Sequence, residues 1–91
     1  MKTTFHVDFW NQQGGSLGYA RLEVDLPFAP HMEMQFEHPV WHEGRKPVAV
    51  SYNLEEGSLY VVFDHDTLPD PQHLQQHADP YRSHGWTVNG D

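Results

Sequence analysis

A chain of 91 residues with 13 carboxylates, 8 histidines, 5 Lys and Arg and no cysteine has room for one domain and is formally −8 at pH 7. Disulfides and thiol chemistry are excluded, and the negative balance argues against direct binding to nucleic acid or to an anionic membrane surface. Three Trp, four Tyr and five Phe supply a packed core, while the longest apolar run, Leu59 to Phe63, is too short for a membrane span or a signal-peptide core, so a cytoplasmic location is expected.

Period-two alternation governs the first two thirds of the chain. Phe5, Val7 and Phe9 point one way, and Thr4, His6, Asp8 and Trp10 the other. Gln13-Gly14-Gly15-Ser16 reads as a turn. A second strand puts Ala20, Leu22, Val24 and Leu26 inward and Tyr19, Arg21, Glu23 and Asp25 outward, until Pro27 and Pro30 stop it. A third is expected with Met32, Met34 and Phe36 inward and Glu33, Gln35 and Glu37 outward. A polar loop from Pro39 to Pro47 carries His42-Glu43-Gly44-Arg45-Lys46 at its tip. Val48 to Leu54 and Leu59 to Phe63 then form a hairpin through Glu55-Glu56-Gly57-Ser58, the second arm apolar on both faces and therefore central.

The last third reads as helix over residues 71–84. Asp70-Pro71 supplies an N-cap and a proline at the first helical position. Leu74, Ala78 and Tyr81 make a narrow apolar stripe, Asp79-Pro80 leaves open a kink, and Gly85 is a stop. Trp86 and Val88 are candidates for a last short strand within the tail, residues 85–91. The expected fold is α+β: one domain with an antiparallel sheet of about five strands within residues 3–64 and one short C-terminal helix on a face. Five strands span roughly 24 Å, whereas a ten-residue helix is only ~15 Å long and ~10 Å wide. Either the sheet curls or a second copy covers the remainder, which makes a homodimer an open alternative.

Chemistry is sparse. His73 and His77 share a helix face, with His84 between them in angle if the helix survives Pro80. These three are the candidate ligands for zinc or another divalent metal, although HxxxH alone is more often the pattern of a solvated flank. In Asp64-His65-Asp66 the two carboxylates share a face and the imidazole takes the other, which weakens a dyad between sequence neighbours. There is no GxSxG, phosphate-cradling loop or metal-hydrolase signature, so catalysis is not expected.

Trp10, Tyr19, Arg21, Glu23, Asp25, Glu33 and Glu37 would form an acidic, partly aromatic face. Aromatics anchor and charge steers, so the leading expectation is a non-catalytic module, without cofactor, binding a basic protein partner through this face. The alternatives are a histidine-rich metal protein and a small-ligand binder or minor enzyme with a pocket near His65 and Trp86. Protonating all eight histidines would carry the formal charge from −8 to about zero, largely between pH ~7.5 and ~5.5. Solubility is therefore expected to be lowest near the isoelectric point of 5.3.

Overall fold

The N-terminal strand β1 (Lys2–Trp10) is the spine of the sheet. It pairs antiparallel with β2 (Ser16–Asp25), as the Gly-Gly turn requires. On its other side lie two parallel neighbours, β4 (Ser58–Val62) and the two-residue β5 (Asp66–Thr67). Strand β3 (Ala49–Asn53) pairs antiparallel with β4, and β6 (Thr87–Gly90) with β2. The order is β3-β4-β1-β2-β6, with β5 beside β1. The computed structural model describes residues 1–90; of the expected tail over residues 85–91, the last residue lies outside the described residues. Among the described residues no helix is long and apolar enough to cross a membrane.

The sheet is thus mixed and six-stranded, not the antiparallel five expected from alternation. Alternation reports which face a side chain takes but not which neighbour a strand chooses. The connection from Leu26 to Val48 is long enough to carry the chain back past β1, so that the β3–β4 hairpin docks on the far side and β4 runs parallel to β1. The third strand expected over Met32 to Glu37 does not form. That segment makes a single bridge, Phe36 to Arg45, closed by two backbone hydrogen bonds of 2.8 Å. Prolines at 27, 30, 39 and 47 punctuate the connection and withhold the donors a ladder needs.

The helix α1 (Leu74–Ser83) follows a 3-10 turn over Pro71–His73, and the Asp70 side chain accepts the Gln72 amide at 2.9 Å. It runs through Pro80, whose missing N–H falls opposite the carbonyl of exposed Gln76, where water can satisfy it. Gly85 ends it at φ +87°, and the Trp86 amide returns to the Tyr81 carbonyl at 3.0 Å. This closure turns Trp86 into the core before β6 begins.

One face of the sheet is covered and the other is open. Thr3, Phe5, Val7, Phe9, Ala20, Val61 and Phe63 point to the covered side. Leu74, Ala78 and Tyr81 of α1 pack there, but the helix is too small to close the layer alone. The irregular connection supplies the rest: Phe36 stacks edge-on to Phe5 at 5.2 Å, and Trp41 to Phe63 at 4.9 Å. Trp41 also donates its indole N–H to the Tyr81 hydroxyl at 3.0 Å, joining connection to helix. Replacing Trp41 with Ala removes this packing and the bond together. It should cost ~3–5 kcal/mol, a large part of the ~5–15 kcal/mol typical of a domain, and urea unfolding followed by circular dichroism measures it.

Candidate functional site

The open face is organised around His6. Thr4, His6, Asp8 and Trp10 of β1 point to it, beside Tyr19, Arg21 and Glu23 of β2 and Tyr60 of β4. Arg21 can only donate, and its Nε reaches His6 Nδ1 at 3.0 Å. His6 Nδ1 is therefore an acceptor, the Tyr60 hydroxyl donates to it at 2.9 Å, and Nε2–H donates to Asp8 Oδ1 at 2.8 Å. The two donors share the single Nδ1 lone pair, and the three partners together fix the orientation of the ring. The Arg21 guanidinium lies over the Tyr19 ring at 4.3 Å and 5.6 Å from the Tyr60 ring. Nearby, Trp10 stacks on His65 at 3.7 Å with 15° between the planes.

Of the residues expected on this face, Trp10, Tyr19, Arg21 and Glu23 are together on it. Asp25 lies at the end of β2, where it binds the N-terminal ammonium at 2.6 Å. Glu33 and Glu37 belong to the irregular connection, which packs on the covered side through Phe36, Val40 and Trp41. The face consequently mixes Arg21 and Lys2 with Asp8, Glu23 and Asp25 rather than being uniformly acidic. Sequence reading missed His6, Asp8 and Tyr60. The register placing His6 between Arg21 and Val62, with Tyr60 one diagonal step away, has no signature in the sequence.

A second polar centre sits on the covered side at the sheet edge. Asp66 of β5 pairs with Phe9 and turns its carboxylate toward the helix. Oδ1 meets Arg45 at 2.8 Å, and Oδ2 accepts from His77 and from the Tyr81 hydroxyl, each at 2.8 Å. Burial alone would raise the Asp66 carboxyl. The bonds from His77 and Tyr81 and the Arg45 charge outweigh it and hold Asp66 below the usual aspartate value. Burial and the facing Asp66 carboxylate push the Tyr81 phenol up, so it stays a neutral donor. A cleft of about 480 Å³ opens beside this cluster, lined among others by Trp41, Arg45, His65, Asp66 and His77. The pocket expected near His65 and Trp86 corresponds to it only in part, since Trp86 is buried in the core.

The three candidate metal ligands keep separate company. His73 is exposed in the 3-10 turn, His77 is engaged by Asp66, and His84 caps α1 with its ring 5.4 Å from that of His38. Among the described residues no group of three or more His, Cys, Asp or Glu is placed to hold a metal ion. His38 has a constraint of its own: its Nδ1 faces the Val40 amide at 3.1 Å and its Nε2 faces the Trp86 indole N–H at 3.2 Å. With N–H donors facing both nitrogens, the imidazolium has nothing to donate to. Burial, and then the neighbouring His84, lower its pKa in agreement with that geometry. Comparisons of the chain with protein-family models, with curated proteins and with solved structures each found no match.

His38 and Asp66 set two separate acid transitions. The unfolded chain takes a proton at His38 near pH ~6.5 and the folded chain only lower, so stability falls as pH drops from ~6.5 through the folded value. Asp66 contributes fully above its unfolded value of ~3.9 and loses that contribution as pH falls below it. His38→Gln should flatten the first decline. Asp66→Asn should flatten the second and cost about 2–3 kcal/mol at neutral pH, a buried-pair loss reduced because Arg45 and His77 are partly exposed. Urea midpoints measured from pH 8 to 3 check both.

Proposed function

We propose that this protein is a non-catalytic interaction module of the cytoplasm that docks a basic protein partner on the open face of its sheet. The observation carrying the reading is the aromatic and guanidinium surface of Trp10, Tyr19, Tyr60 and Arg21, which no element among the described residues covers. Trp, Tyr and Arg dominate the energetics of protein interfaces. Here Arg21 is held by His6 and the Tyr19 ring, and Trp10 by its stack on His65, before any partner arrives. Side chains ordered in advance lose little entropy on docking.

Charge supports a cationic partner. The chain is −8 at pH 7, and Glu23 and Asp25 flank the anchors on the same strand. Long-range attraction would speed encounter, while the aromatics would set residence time. The reading needs neither cofactor nor metal.

The test is affinity capture from a lysate on immobilised protein, followed by titration of the purified partner. A basic protein should be retained by the native chain and by a Gln72→Ala control on the far side. Tyr19→Ala should weaken it by about tenfold or more, and raising salt from ~0.05 to ~0.3 M should weaken it further. A partner held equally by Tyr19→Ala, or insensitive to salt, would move the site off this face.

A further inference from the structure

Strand β3 is an edge of the sheet, and it carries neither a charged residue nor a proline. Edge strands are normally guarded by charged side chains, prolines or bulges that prevent pairing with another chain. Between Pro47 and Glu55 this one reads Val-Ala-Val-Ser-Tyr-Asn-Leu, without a charge or a proline, in a chain that is formally −8. Val48, Tyr52 and Leu54 are 53%, 50% and 88% exposed, half of the large apolar side chains that are exposed among the described residues.

The backbone of β3 has its free groups in a definite pattern. The Phe63 amide bonds to the His6 carbonyl at 2.9 Å, so odd-numbered residues of the β4 segment turn their backbone toward β1 and even ones toward β3. Tyr60 and Val62 face Ser51 and Ala49, and Ser58 faces Asn53. Ala49, Ser51 and Asn53 are therefore paired inward, while Val50 and Tyr52 direct their N–H and C=O groups outward from the edge.

We infer that β3 is the contact through which two copies of this chain pair, antiparallel, about a two-fold axis at Ser51. In that register Val50 of one copy lies opposite Tyr52 of the other, and their outward amides and carbonyls bond reciprocally. Val50 and half-exposed Tyr52 lie on one face of β3, so the two copies set a Val-Tyr pair on each side of the axis on one face of the joined sheet. The segments that flank the contact carry opposite charges, Lys46 before β3 and Glu55-Glu56 after it. A shift of register by one residue would set Val50 opposite Ser51 or Asn53 and lose the Val50–Tyr52 pairing. An isologous contact of this kind closes on itself and leaves no further edge of β3 to extend.

Ser51 gives a direct test, because the chain has no cysteine of its own. At the axis two Ser51 residues form a non-hydrogen-bonded pair with Cα atoms ~4.5 Å apart, within the ~4.4–6.8 Å that a disulfide accepts. Under mild oxidation Ser51→Cys should give a covalent dimer, whereas Ala49→Cys, which would face Asn53 of the other copy, should remain largely uncoupled. Sedimentation of the native protein at ~0.1 mM should show a dimer. Tyr52→Pro removes an outward N–H that β4 does not use, so the monomer keeps its fold and its circular dichroism, and the dimer dissociation constant should rise by about tenfold or more. A native monomer at that concentration, or equal crosslinking of Ser51→Cys and Ala49→Cys, overturns the inference. Tyr52→Pro leaves the β2 face intact, so loss of the dimer and loss of the sheet-face partner are separately readable.

Discussion

The Asp66 carboxylate is the point on which the covered side of the molecule depends. Arg45 reaches it from the irregular connection, His77 and Tyr81 from the helix, and Asp66 itself is held in the sheet by β5. A two-residue strand has little pairing of its own, so its position beside β1 follows from the partners of its side chain as much as from its ladder. The Tyr81 hydroxyl extends the arrangement by accepting from Trp41 while donating to Asp66. Each buried polar group thus supports the next, and the hydrophobic layer formed by Phe9, Phe63, Trp41 and Tyr81 is oriented by a polar thread running through it.

The two faces solve the same problem differently. On the covered side, polar groups are few and converge on one carboxylate. On the open side they form a network centred on His6, with a direction at every nitrogen, and among the described residues no buried side-chain nitrogen or oxygen lacks a partner. A polar network satisfied in this way is stiff. Stiffness in an uncovered surface serves recognition better than it serves stability, since exposed pairs contribute little to folding.

Where the sequence was legible, local rules decided the outcome. The Gly-Gly turn, the Asp70-Pro71 start of the helix, its stop at Gly85 and the apolar β4 all follow from neighbours in the chain. What could not be read depends on partners distant in sequence. The parallel pairing of β4 with β1, and the failure of Met32 to Glu37 to become a strand, are decided by which edge is free when the chain returns. The sites follow the same division. Tyr19, Arg21 and Glu23 alternate on one strand and were found together, whereas Glu33 and Glu37 went with a strand that does not exist. Asp66 read as a polar strand end because its partners, Arg45, His77 and Tyr81, come from two other elements.

The placement of β1 has a kinetic consequence. The first strand of the chain is the middle of the sheet, and its hairpin partner β2 finds its outer neighbour only in β6, where Tyr19 lies opposite Asn89. Loop closure over such separations must precede the contacts that reward it, which puts a fold of this kind among the slower small domains. During synthesis the β1–β2 hairpin therefore emerges long before anything can cover its apolar face. Glu23 and Asp25 of β2 give that hairpin negative charge over the interval in which its apolar face has no cover.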